Sequence, residues 1–210
     1  MKVFVVNTPR NRNVSIERMF TQKDWEITED IQEANLVQFL GGDDVTPSFY
    51  GESRMDSTYC NPLRDKYEKV LFNICKENTT PMAGICRGAQ FLNVMNKGKL
   101  WQDINNHACS NGHDLIDYET GYTVKASSTH HQEMIPTGDA VLLAVAYEAT
   151  EKTRMRGGAE VTSFNKNGPD MEVLMYPATS CLCFQPHPEY MGFHELTELY
   201  FKHIELLMTA

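Results

Sequence analysis

A cysteine framed by two glycines, where an apolar run gives way to a helical pattern, is the part of this chain best suited to chemistry. The stretch reads Pro81-Met82-Ala83-Gly84-Ile85-Cys86-Arg87-Gly88-Ala89-Gln90-Phe91-Leu92. Its spacing is that of the Gly-x-nucleophile-x-Gly elbow, with sulfur in place of the hydroxyl. Small residues let the chain turn sharply from strand to helix, so the Cys86 side chain stands at the tip. Helix N–H groups beneath it stabilise negative charge on the sulfur. A Gly-flanked core cysteine would look the same locally, so the elbow needs a partner elsewhere in the chain.

That partner lies far downstream, in Cys181-Leu182-Cys183-Phe184-Gln185-Pro186-His187-Pro188-Glu189. A short apolar run leads into a histidine framed by prolines. His187 precedes Pro188 and is biased towards extended backbone. Residues i and i+2 of an extended segment point the same way. Glu189 can therefore orient one ring nitrogen of His187 and leave the other free, the division of labour between a base and its orienter. A lone His-x-Glu says little. An elbow cysteine followed by this segment at the end of a later strand is specific.

These residues need strands that end together. Residues 2–7 read as a first strand and Asn35–Leu40 as a second, the latter running into Gly41-Gly42-Asp43-Asp44. Arg64 to Asn78 carries Tyr67, Val70, Leu71 and Ile74 at helical spacing. A strand over 80–85 and a helix over 88–97 flank the elbow. Residues 103–120, rich in Asn, His and Gly, are expected to form a polar surface loop. Strands are expected near 121–126, 140–146, 159–165 and 171–176, the last three antiparallel, with a turn signal at Asn165-Lys166-Asn167-Gly168. A helix from His194 to Met208 completes the pattern. No repeat or linker interrupts the chain, so one domain over residues 1–210 is expected.

Composition narrows the classes of function. The 210 residues carry 19 Lys plus Arg against 28 Asp plus Glu, a net charge of −9, which disfavours a polyanionic partner. There is no basic stripe interleaved with aromatics of the kind that binds nucleic acid. No apolar segment approaches a membrane span, and the first residues are too short an apolar run for a signal peptide. A cytoplasmic location is expected, and the six cysteines read as reduced thiols. Cys60, Cys75, Cys109, Cys181 and Cys183 then serve as filler or core.

Six blocks spread over the chain carry a resemblance. Gly41 to Glu52, Arg64-Asp65-x-x-Glu68, Gly84 to Asn93, Leu100 to Ile104, Ser127 to Gln132 and Gln185-x-His187-Pro188-Glu189 together resemble the class I glutamine amidotransferase-like superfamily. The first and fifth are similar to its γ-glutamyl hydrolase branch, peptidase C26 and the γ-glutamyl-γ-aminobutyrate hydrolases. The fold this implies is α/β, a mostly parallel, flavodoxin-like central sheet flanked by helices, with a small antiparallel extension.

The resemblance also implies roles. Cys86 is the nucleophile, His187 the base and then the acid, and Glu189 the orienter. Backbone N–H groups of Arg87 and of Gly42 or its neighbour form the oxyanion hole. Gln90, Ser128 and His130 hold the polar ends of the glutamyl group. The reaction is hydrolysis of a small γ-glutamyl amide, amine or phosphoramidate conjugate through a γ-glutamyl thioester, without cofactor or metal. The alternative is a glutaminase subunit passing ammonia to a separate synthetase, and a third reading is an idle relative that only binds. A homodimer is left open.

Two departures from the branch are Pro186, where an aromatic is common, and Ser127, where Asn is usual. Residues 8–34 have room for one poor helix, which predicts a trimmed wall and a larger or unusual leaving group, read by residues 8–34, 43–60 and 105–120. His107-Ala108-Cys109 with His113 lacks a paired metal signature and reads as polar loop. Arg154-Met155-Arg156 beside Gly157-Gly158 reads as a solvated loop.

Overall fold

The computed structural model describes residues 1–7, 13–148, 150–166, 169–190 and 192–209. In chain order the elements are β1 (Lys2–Val5), α1 (Val14–Thr21), β2 (Glu26–Ile27), β3 (Leu36–Phe39), α2 (Pro62–Asn78), β4 (Met82–Ile85) and α3 (Arg87–Met95). Short strands β5 (Lys99–Trp101) and β6 (Asp103–Asn105) follow, then β7 (Cys109–Asp117), β8 (Thr123–Ser128), β9 (Glu133–Ile135) and β10 (Val141–Ala146). The chain ends with β11 (Thr150–Arg156), β12 (Ala159–Asn165), β13 (Asp170–Tyr176), β14 (Cys181–Phe184) and α4 (His194–Thr209).

Among the described residues, nine strands form the central sheet, in the order β2-β1-β3-β4-β14-β13-β10-β7-β8. The pairs from β2 to β14 are parallel, and those from β14 onwards antiparallel. Every residue of β4 and β14 is buried, as expected of parallel strands covered on both faces. One face packs Val3, Val5, Ile85 and Phe184 against α1 and α4 through Phe20 and Tyr200. The other packs Phe39 and Cys183 against α2 and α3 through Phe72, Phe91 and Leu92. Among the described residues, no helix is long and apolar enough to cross a membrane.

One register relation places the chemistry. β4 and β14 are parallel neighbours, with Ile85 opposite Phe184. Both chains therefore leave the sheet at the same end, β4 into Cys86 and β14 into the His187 segment. Ligand sites of open α/β sheets form at such carboxyl ends.

The α/β class is as expected, but the antiparallel part is four strands rather than a small extension. Residues 109–117 are a strand and not a polar loop. Inward positions there are His113, Leu115 and Asp117, and the polar members hide the period of two. β12 pairs with β11 and not with β13, in a second sheet with β6. The expected turn falls at Asn167 and Gly168, outside the described residues. Arg154–Arg156 is accordingly strand, its Arg154 paired with buried Glu52 at 3.0 Å. Helix α2 forms where expected, capped by the Asn61 side chain, yet Tyr67 and Val70 are exposed. Its buried face is Asp65, Glu68, Leu71, Phe72 and Cys75, because two of those charges meet a partner inside.

Candidate active site

Cys86 has φ 53° and ψ −114° and caps the N-terminus of α3. Positive φ is costly for a residue with a side chain, about 1–3 kcal/mol, and persists only where the surroundings impose it. Two glycines impose it here. A Cβ on Gly84 would lie 2.4 Å from the Gly88 carbonyl group, and one on Gly88 would lie 2.5 Å from the Phe39 carbonyl oxygen. Strand β4, helix α3 and strand β3 thus approach one another too closely for any side chain at those positions.

The structure brings His187 and Glu189 to this cysteine. Glu189 Oε1 lies 2.7 Å from His187 Nδ1, and Cys86 lies beside the same imidazole, close enough for its charge to act on the ring. Burial pulls the His187 pKa down. Its interactions with Cys86 and Glu189 overturn that and raise it to about 11. The imidazole therefore holds its proton through neutral pH. Its ring stacks on Tyr190 with centroids 4.5 Å apart. Its backbone N–H donates to Ser127 Oγ at 2.7 Å. The sequence flags Ser127 only as a departure, and gives no sign of Tyr190. Cys75 and Cys181, by contrast, are pushed up to about 12 and about 11 by burial, which suits inert core thiols. Cys109 is exposed and Cys60 half-buried, so these two are not core.

Gly41 and Gly42 complete the surroundings of the thiol. A Cβ on Gly41 would come within 3.0 Å of His187 Cε1 and 3.6 Å of Cys86 Cβ. Arg64 holds this loop by donating to the Leu40 and Gly41 carbonyls at 2.8 and 3.0 Å, and pairs with Glu68 at 2.7 Å. Glu68 and Asp65 in turn pair with the buried Arg87 guanidinium, which lies over the Phe91 ring. The Arg64-Asp65-x-x-Glu68 block is thus a buried ionic brace between the glycine loop and the elbow.

A cavity of about 190 Å³ opens over the thiol, lined by Gly42, Asp43, Asp44, Cys86, Gln90 and His130 among others. That is smaller than the roughly 300–1,000 Å³ typical of ligand pockets, which is against the larger leaving group expected from residues 8–34. Of the three segments expected to read that group, only 43–60 lines the cavity. Arg87 also lines it, and as the first residue of α3 its N–H has no intrahelical partner. Gln90 sits in the wall, its Nε2 donating to Gln132 O at 3.2 Å and Gln185 Oε1 at 3.3 Å. Ser128 is not brought to the cavity, since its hydroxyl donates to the His107 carbonyl at 2.6 Å. His130 is in the wall, but both ring nitrogens are engaged inside the protein, with Gln132 O at 2.9 Å and His107 Nε2 at 3.0 Å. The polar contacts expected of Ser128 and His130 are thus already taken.

A braced cysteine elbow and a histidine–carboxylate pair, at the carboxyl ends of adjacent parallel strands, define the class of the hydrolases and amidotransferases of the glutamine amidotransferase-like fold. The family model described as Peptidase C26 matches residues 14–167, and the chain belongs to that family. The match includes Cys86 and stops short of His187. Over 98 residues the chain is 37% identical to the glutamine amidotransferase-like protein YvdE of Lactococcus lactis, covering 45% of this chain and 39% of that relative. The chain spans between about a quarter and two fifths of the length of the curated relatives it matches. Among solved structures, a GMP synthase subunit protein of Thermoplasma acidophilum superposes with a TM-score of 0.66 at 13% identity, covering 100% of this chain and 94% of that one. PurLQS of Thermotoga maritima gives a TM-score of 0.65 at 15% identity, covering 98% of both chains. At such identities the likeness is one of fold.

Proposed function

We propose that this chain is a cysteine-dependent γ-glutamyl hydrolase. The observation that carries the reading is Cys86 on its strained elbow, beside the imidazole that Glu189 orients at 2.7 Å. The Cys86 sulfur adds to the γ-carbonyl carbon of a glutamyl amide, and the C=O electron pair moves onto oxygen. Backbone N–H groups of Gly42 and Arg87 face that oxygen, each worth about 3–4 kcal/mol of barrier. Protonated His187 gives its proton to the leaving nitrogen as the C–N bond breaks, and a γ-glutamyl thioester remains. Water then adds, yielding a proton to His187, and the C–S bond breaks to release glutamate. With its Nε2 engaged by Gln132 O and Gln185 Oε1, Gln90 is assigned to the glutamyl group's polar end through its amide oxygen. No residue of this scheme asks for a metal or cofactor.

A second reading has support from the fold neighbours, one a GMP synthase subunit protein and another PurLQS. It makes this chain a glutaminase subunit that delivers ammonia to a separate synthetase. Glutamate release by wild type and Cys86→Ala from a panel of γ-glutamyl amides, with free glutamine included, separates the two. Cys86-dependent turnover of one conjugate well above glutamine is the expected result. Turnover of glutamine alone favours the ammonia-delivering reading. Inactivity of the wild type on every compound overturns the hydrolase.

A further inference from the structure

We propose that His107, His113, His130 and Glu172 bind one divalent transition-metal ion, Zn²⁺ being the best match, behind the inner wall of the Cys86 cavity. The site is independent of the reaction above.

The four residues come from separate places: the segment before β7, β7 itself, the segment after β8, and β13. All are buried, at 2%, 2%, 4% and 0% exposure. Three imidazoles converge on one carboxylate oxygen. Glu172 Oε1 lies 3.2 Å from His107 Nε2, 3.4 Å from His113 Nε2 and 3.8 Å from His130 Nε2. His107 Nε2 and His130 Nε2 are 3.0 Å apart. Four ligands held tetrahedrally at zinc's usual bond lengths stand about 3.4 Å from one another. These four spacings bracket that value, and the ligand atoms of His107, His113 and Glu172 all lie within 4.8 Å of one another.

Hydrogen bonding leaves the cluster unexplained. Among the described residues, both oxygens of Glu172 and both ring nitrogens of His113 lack a hydrogen-bond partner. His107 Nδ1 faces Asp170 Oδ2 at 3.2 Å and His130 Nδ1 faces the Gln132 carbonyl at 2.9 Å. Both are acceptors, so each Nδ1 carries the proton. With both rings neutral, the buried Nε2 lone pairs of His107 and His130 face each other and an anionic carboxylate. Such an arrangement is costly unless a cation sits in it. The nearby lysine does not serve, because Lys152 is committed to Glu133 and Asp170 at 2.5 Å each.

A metal ion resolves all of these points but one, the Nδ1 of His113, which keeps no partner among the described residues. Three imidazoles and one carboxylate are a donor set for zinc and not for the oxygen-seeking Mg²⁺ or Ca²⁺. Metal-bound histidines donate their other N–H to a carboxylate or carbonyl, which is what His107 and His130 do. Four protein ligands fill the coordination shell, so the role is structural. The ion would tie β7 and β13 to the 130–132 segment, which supplies His130 to the cavity wall and the carbonyl that accepts from Gln90.

The test is metal content of the full chain purified from zinc-supplemented cells, with a melting curve before and after chelation. The Cys86→Ala background removes binding at the thiol. About one Zn²⁺ per chain is expected, with a Tm that falls on chelation and recovers with added Zn²⁺. Glu172→Gln and His113→Asn should lose the ion. Asp170→Asn should keep the fold and weaken Zn²⁺ affinity by about 10–100-fold. A wild-type chain that purifies metal-free and whose Tm does not respond to Zn²⁺ overturns the proposal, since a shared proton then suffices. Zinc that disappears with Cys86→Ala but survives Glu172→Gln overturns it equally.

Discussion

The hydroxyl of Ser127 accepts the backbone N–H of His187 at 2.7 Å, across sixty residues of sequence. The bond joins the end of β8, in the antiparallel half of the sheet, to the segment leaving β14. It fixes the height of the imidazole against Cys86, while Glu189 fixes its rotation. Ser127→Ala leaves a part-buried N–H without an acceptor, which costs about 1 kcal/mol. The expected outcome is a lower kcat with KM little changed. Ser127→Asn should recover much of it, because the amide oxygen is again an acceptor. Steady-state kinetics with a melting curve for each variant checks this.

The pH profile should report the His187–Glu189 pair. In the wild type the imidazole is raised from 6.5 to about 11, so the acid needed by the leaving nitrogen persists far into alkaline solution. Glu189→Gln removes one of the charges that raise it. The alkaline limb of kcat/KM then moves to lower pH, and activity falls by roughly 10²–10⁴-fold. An unmoved limb would show that Glu189 does not govern the proton on His187.

Arg87→Met tests the brace beneath the elbow. The backbone N–H of residue 87 is kept, but Asp65 and part of Glu68 are left as buried, unpaired charges. Removing one partner of such a group costs about 3–5 kcal/mol. Urea unfolding should show a loss in that range. A change under about 1 kcal/mol would mean that the charges relax to solvent.

Gly88→Ala should act through the backbone. Its Cβ would meet Phe39 O at 2.5 Å and Phe39 C at 2.7 Å, and neither can move without displacing β3. Overpacking of this kind costs about 1–3 kcal/mol or more. We expect a lower Tm together with slower alkylation of Cys86 by iodoacetamide. Gly138→Ala, where a Cβ meets nothing within 4 Å, is the control and should change neither.

The elbow, the His187-x-Glu189 pair and the parallel strands were legible because each is local. A sharp turn needs small residues at fixed offsets, and buried parallel strands are short apolar runs. The second sheet was not legible. β6 and β11 are short or mixed in polarity, and they pair from Asp103 to Thr153, a contact that no local pattern announces. The face of α2 was misread for a related reason. Hydrophobic periodicity put Tyr67 and Val70 inside, whereas the interior takes Asp65 and Glu68 to meet Arg87.

Residue order alone dictates which side chains are reactive, where the chain turns sharply, and which runs can be strands. Those properties depend on side-chain chemistry and on backbone freedom within a few residues. What meets what is a property of the folded chain. Folding seated Ser127 under His187, withdrew Ser128 and the nitrogens of His130 from the cavity, and gathered His107, His113, His130 and Glu172 around one point. Such groupings depend on strand order and register, which are set by how the whole chain buries its apolar surface and so cannot be read from any one segment.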